Sequence, residues 1–121
     1  MPVSVTSQTA PYVDKLIVDT DADATAEDNV LTGAAATYIF DVDNSNNSSA
    51  VYAKFFNVTN ATTGTTEPSI QMLVPANVRQ VLTIPSAVAF SAGLSFACVA
   101  GSATGNTVSP TNNVTIRVMA E

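Results

Sequence analysis

The sequence predicts an antiparallel β-sandwich of jelly-roll or immunoglobulin-like kind, and three observations favour this fold class. Apolar and polar residues alternate in short runs, which is the period-two spacing of half-buried strands; the runs lie at 36–43, 50–57, 70–74, 78–84, 94–99 and 113–119. Thr (16 residues), Ser (11) and Asn (10) replace the Lys and Glu that usually cover helices. A chain of 121 residues suits one domain with one core, so we expect seven or eight strands and little helix.

The first residues predict an extended N-terminal arm at 1–11, followed by the sandwich domain at 12–121. Residues 1–11 are polar and contain Pro2 and Pro11, which suits an arm or an edge strand. Residues 12–18 alternate as a strand does, although a short amphipathic helix also fits. The start lacks the basic and apolar regions of a secretory signal, so we expect a soluble protein made and kept in a cytosol, with no membrane partner.

The run at 36–43 places Tyr38, Phe40 and Val42 on the inward face of a strand, with Asp41 and Asp43 mostly outward. A short polar loop at 44–49 separates this run from the next one. Because short polar loops commonly join paired strands, the spacing predicts a hairpin between 36–43 and 50–57.

Two later runs end at prolines, Pro75 and Pro85, which cannot donate to a ladder and are expected to close their strands. The stretch at 57–68 is predicted to be a polar loop, and the one at 100–110 an exposed and mobile loop. The single cysteine, Cys98, shares an apolar face with Leu94 and Phe96, which indicates a small buried residue. The predicted core residues are Tyr38, Phe40, Phe55, Leu82, Ile84, Leu94, Phe96, Ile116 and Val118.

The charge is distributed asymmetrically. Eight of the ten acids lie within residues 14–43 beside a single lysine, so this part carries about −7 and the remainder about +1. The whole chain has four basic residues and a net charge of −6, which would repel phosphates. Nucleic-acid binding is therefore not expected.

The sequence contains few residues that are suited to catalysis. The chain contains no histidine, which excludes Ser-His-Asp and Cys-His arrangements and any imidazole base. Asp41 and Asp43 point the same way on one strand, which is one arrangement of a glycosidase carboxylate pair. Ordinary solvation of an exposed face is favoured, because no Trp platform is present. We therefore expect a protein that is not an enzyme and has no cofactor.

The run Asp19, Asp21, Asp23 matches the first three ligand positions of an EF-hand loop. The match then fails, because Ala24 stands where the loop needs glycine and Val30 where it needs the bidentate glutamate. These three aspartates remain weak candidates for a looser calcium site, and a solvated acidic loop is the preferred interpretation.

Four segments, in this order and spacing, resemble a recurrent family of small all-β phage virion proteins, several of which cement or decorate the capsid. The segments are YAKFFN at 52–57, Gly64-Thr65 with Pro68, Val74-Pro75-Ala76, and VAFSAGL at 88–94. The resemblance covers roughly residues 33–118. It leads us to expect glycine at 77 and 87, where this chain has Asn77 and Ala87. Asn tolerates left-handed φ, whereas Ala87 implies a second turn of different construction.

The resemblance implies a capsid decoration (cement) protein that binds the major capsid protein on the outer shell and stabilises capsomer junctions, with no catalytic positions. The chain would be made in the host cytoplasm and located on the virion surface. The alternative is a head-fibre, tail or receptor-binding virion component of similar fold. A homotrimer is expected from the resemblance and from apolar residues that suit a covered surface: Tyr52, Phe56, Met72 and Met119.

Overall fold

Within residues 13–121, seven strands form two antiparallel sheets packed face to face, which confirms the predicted β-sandwich. This computed structural model describes residues 13–121, so the predicted arm at 1–11 lies outside the described residues. The strands are β1 (Lys15–Ala22), β2 (Ala35–Asp43), β3 (Val51–Asn57), β4 (Ile70–Val74), β5 (Arg79–Phe90), β6 (Leu94–Val99) and β7 (Val114–Ala120). Among residues 13–121 there is no helix with the length and apolar character needed to cross a membrane.

The larger sheet has the order β1-β7-β2-β5 and the smaller one the order β4-β3-β6. We call them the four-stranded and the three-stranded sheet. Apolar side chains on their facing surfaces form the core, because period-two alternation gives each strand one inward set. Its largest members are four phenylalanines, two from each sheet, namely Phe40, Phe90, Phe55 and Phe96.

The predicted hairpin between the runs at 36–43 and 50–57 is wrong. β2 pairs with β7 and β5, whereas β3 pairs with β4 and β6, so the chain changes sheets at residues 44–50. The side chain of Asn44 explains the corner, since its amide donates to the carbonyls of Ser49, Val74 and Pro75 at 3.0–3.2 Å. This buried amide ties the β2–β3 corner to the β4–β5 corner, and both corners carry the chain between sheets.

The core prediction holds except at Tyr38. Leu82 and Ile84 are half-buried against the core, and the remaining predicted members are buried. Tyr38 is half-buried on the outer side, where its hydroxyl lies 3.3 Å from the carboxylate of Glu121. The register of β2 shifts between Thr37 and Ile39, and this bulge turns Thr37 inward in place of Tyr38.

Pro85 does not close its strand, contrary to the sequence prediction. β5 continues from Arg79 to Phe90, and its register against β2 shifts around this proline. A missing N–H is tolerated because β5 is an edge strand of the four-stranded sheet. Pro75, in contrast, follows the end of β4 as predicted.

Ala87 lies in the irregular part of β5 and has a φ of 65°, in the left-handed region. Asn77 has a φ of 61°, so both positions where the resemblance suggests glycine adopt a conformation that glycine favours. We expected the turn at Ala87 to be built differently from one that contains glycine, but the φ angle of Ala87 is one that glycine favours. Alanine is strained in this conformation, because its Cβ approaches the following carbonyl oxygen.

Replacing Ala87 with glycine is expected to raise the free energy of unfolding by about 0.5–1 kcal/mol, because the relief of strain exceeds the entropy that glycine adds to the unfolded chain. Urea denaturation measures the change. Ala89→Gly is the matched control, since Ala89 is an exposed residue of the same strand without positive φ. The control should lose about 0.5–1 kcal/mol. Equal losses in both variants would contradict the assignment of strain to position 87.

Candidate interaction surfaces

The three aspartates proposed as weak metal candidates do not converge. The carboxylate of Asp19 accepts the backbone N–H of Asp21 at 3.1 Å, and that of Asp23 accepts the N–H of Thr25 at 2.9 Å. The side chain of Asp23 therefore closes a local turn after β1. Asp19 and Asp21 lie within β1 itself, so this part of the segment is a strand and not the loop preferred from the sequence. Within residues 13–121, no group of three His, Cys, Asp or Glu side chains is placed to hold a metal ion.

Asp19 differs from its neighbours in environment. It lies opposite Ile116 on the side of β1 that faces the core rim, and it is half-buried, whereas Asp21 is exposed. Burial raises the pKa of Asp19 to about 6, and the carboxylates of Asp21 and Glu27 add to the rise. The N–H of Asp21 offsets part of this effect. The folded protein therefore carries a carboxylate that is destabilised when ionised.

Asp19→Asn is expected to stabilise the folded chain at neutral pH, because it keeps a side-chain oxygen for the N–H of Asp21 and removes the ionised form. The pKa of Asp19 is about 6 in the folded state and about 3.9 when unfolded. The cost of ionisation is therefore fully present above about pH 6 and is relieved as the pH falls through that value. After allowance for partial exposure, the gain should be about 1 kcal/mol near pH 7.5 and should vanish near pH 4.

Urea midpoints of dilute protein at the two pH values measure this gain. Glu67→Gln is the control, because it removes the same formal charge from an exposed residue that does not contribute to the raised pKa of Asp19, and it should give a much smaller gain at the higher pH. A gain for Asp19→Asn that persisted unchanged at about pH 4 would contradict burial as its cause.

Asp41 and Asp43 belong to a charge cluster on the outer face of the four-stranded sheet. The carboxylate of Asp41 accepts hydrogen bonds from Nε and Nη2 of Arg79, and Arg117 lies directly opposite Asp41 on β7. Asp41 is buried beneath these contacts, although it points outward from the sheet. The side chain and then the N–H of Ser45 lower the pKa of Asp43, burial opposes them, and Arg79 and Arg117 lower it slightly further. Bidentate pairing suits a structural carboxylate better than a proton donor in hydrolysis.

Loops cover most of the outer face of the three-stranded sheet. Phe56, expected at a surface covered by a neighbouring subunit, is buried with Ala97 of β6 and with Ala61 of the loop that follows β3. Lys54 on the same face is also buried, and its ammonium group donates to the carbonyl of Ala103 at 2.7 Å. Burial lowers the pKa of Lys54. The loops predicted at 57–68 and 100–110 therefore contribute a second, smaller packing layer besides their exposed residues.

These contacts change the surface on which the expected trimer depended. Phe56 is enclosed by its own loop, and Met72 faces the core, so neither side chain is available to a neighbouring subunit. Tyr52 and Met119 are half-buried. The large apolar side chains that remain exposed include several that the sequence did not single out: Val13, Leu16, Val18, Leu73, Val78, Val81 and Val108.

Cys98 is fully buried in the core, as the alternation predicts. Burial raises the pKa of its thiol to about 12, with a contribution from the nearby Asp19 and Asp23. The thiolate is the reactive form of cysteine, so this residue serves packing and not chemistry.

A small open cleft of about 200 Å³ lies between the β2–β3 corner and the loop before β7. Asn47, Ser49, Val108, Pro110 and Asn112 are among its lining residues, and no lining side chain is ionisable. Asn47 is largely committed to structure, because it donates to Asn112 O at 3.0 Å and accepts from Asn112 N at 2.7 Å. The cleft offers polar recognition but no acid, base or nucleophile poised for catalysis.

No family model, curated protein or solved structure matches this chain.

Proposed function

We propose that this chain is a phage virion structural protein that decorates the capsid. It would bind the major capsid protein on the outer shell and stabilise the junctions between capsomers. The support comes from two sources. The four segments that resemble phage virion proteins stand in the expected order, and the chain folds as the small all-β sandwich that the resemblance implies.

The observation that carries this proposal is the backbone at residues 77 and 87. Both are positions where the resemblance suggests glycine, and both have positive φ, at 61° and 65°. Non-glycine residues seldom adopt this conformation, and alanine adopts it at a cost. Glycine favours this conformation, so the backbone at both positions is compatible with the resemblance.

The distribution of acids favours one region for contact with the shell. Asp19 and Asp21 lie on β1, and Asp23, Glu27 and Asp28 follow in the segment that runs beside β6. This side would attract lysine and arginine on a capsid surface, chiefly by accelerating association. The alternative, which we prefer as the simpler interpretation, is that these acids face outward and keep a densely covered particle soluble. The arm at 1–11, which precedes this region, is the other segment from which we expect shell contact.

The amount of the protein in virions tests its role. A quantitative gel of purified virions from the phage that encodes the chain should show a copy number near that of the major capsid protein. A head-fibre, tail or receptor-binding component would be scarce by comparison. A scarce band would therefore contradict decoration and favour that alternative, and complete absence from virions would contradict both.

Rebinding to stripped capsids then tests the contact. The intact chain should decorate stripped capsids again, and a chain lacking residues 1–11 should bind more weakly while its sandwich stays folded. If the acids make contact, raising the ionic strength slows rebinding, because charge pairs at an interface rim are screened beyond about 8 Å in physiological salt. Rebinding that depends on neither the arm nor salt would place the contact in the loops at 57–68 or 100–111.

A further inference from the structure

The four edges of the two sheets are not equally protected against pairing with another strand. β4 is a five-residue strand between Pro68 and Pro75, and β5 contains Pro85 within an irregular register. β6 is covered by its own chain, since Phe96 and Glu27 exchange backbone hydrogen bonds at 2.9 and 3.0 Å. Short strands, prolines, irregular register and covering segments all prevent pairing at an edge.

Over Lys15–Asp19, β1 has no proline, no irregular register and no covering segment from residues 13–121, and its protection consists of the charged side chains of Lys15 and Asp19. Its register against β7 is regular there and shifts only between Asp19 and Ala22. Within residues 13–121, no strand pairs with the side of β1 that faces away from β7. Leu16 and Val18 are 60% and 47% exposed on the outer face of this strand. The edge is therefore a regular and partly apolar template for a further strand.

The sequence of this edge is complementary to itself. In an antiparallel pair centred on Ile17, position 15 lies opposite 19 and position 16 opposite 18, so each pair shares a face of the sheet. Lys15 of one chain then faces Asp19 of the other, and Leu16 faces Val18, twice over by symmetry. Centring on Ile17 keeps all these residues within the regular part of the strand.

Within a single chain, the charged side chains at this edge do not form strong ion pairs. Among residues 13–121, the ion pairs are Lys15 with Asp14 and Arg79 with Asp41, so no described cation pairs with Asp19. The Lys15–Asp14 pair joins adjacent, exposed side chains 3.3 Å apart, so it is easily exchanged. A second copy would provide the half-buried Asp19 with a lysine across the strand pair.

We propose that two copies of this chain associate through β1, forming an antiparallel pair about a twofold axis at Ile17 that joins their four-stranded sheets into one. Pairing of like edges is a closed, isologous contact, so it stops at two copies. It differs from the threefold assembly that the resemblance implies. The proposal does not depend on capsid decoration, because every group in it belongs to this chain.

Sedimentation equilibrium of the full chain over a wide concentration range at low ionic strength tests the proposal. A single-strand contact belongs to the small, transient class of interfaces, so we expect a reversible dimer with a dissociation constant on the order of 100 µM. A species that remains monomeric at millimolar concentration, or a mass of three chains, would overturn the proposal. A dimer that forms only after residues 1–11 are deleted would also overturn it, because the chain's own arm would then occupy the edge.

Charge exchange tests the register. Lys15→Glu places like charges opposite each other twice and should weaken dimerisation by about tenfold or more. The double variant Lys15→Glu/Asp19→Lys restores opposite charges and should recover most of the affinity. A dimer that is insensitive to Lys15→Glu, or a folded double variant without recovery, would contradict pairing about Ile17.

A second pair of variants decides the question if the double variant fails to fold. Val18→Lys adds a charge within the proposed contact, and Val81→Lys adds one at a similarly exposed position on the opposite edge strand, β5. Only Val18→Lys should weaken the dimer, with melting curves checking that both variants are folded. Equal effects of the two variants would place the contact elsewhere.

Discussion

The structure depends on contact between phenylalanines across the two sheets. Phe40 of the four-stranded sheet and Phe55 of the three-stranded sheet meet edge to face, with ring centroids 4.7 Å apart. Phe90 and Phe96 extend this contact along their own sheets, at 6.4 Å from Phe40 and 6.1 Å from Phe55. All four are essentially fully buried. Because each sheet is apolar on its inner face, neither sheet is stable alone. The packing of the two sheets therefore determines where the corners between them lie and which faces become surfaces.

Alternation in the sequence was enough to predict the strands and most of the core, because a half-buried strand imposes its period directly on side-chain polarity. Alternation could not predict events that break the period. The bulge that turns Tyr38 outward leaves no mark in composition, and Pro85 is allowed within β5 only because of the position of that strand at an edge. The choice of sheet at the β2–β3 corner depends on the amide of Asn44 reaching carbonyls about thirty residues away.

Surfaces were harder to predict than the core for a related reason. Phe56 and Lys54 lie on the outer face of the three-stranded sheet, where alternation predicts exposure, yet loops from residues distant in sequence bury them. The strand β1 was predicted in part, since a strand was one of two alternatives for residues 12–18. The position of β1 at an edge of its sheet could not be predicted, because an edge is a property of strand order.

The free energy of unfolding of Phe55→Ala tests most directly whether contact between the sheets supports the fold. The ring contacts phenylalanines from both sheets, so its removal should leave a cavity and cost about 3–5 kcal/mol in urea denaturation. Leu73→Ala is a suitable comparison, because Leu73 is half-exposed on β4 and should cost far less. A loss of about 1 kcal/mol or less at Phe55 would contradict the central role of this cluster.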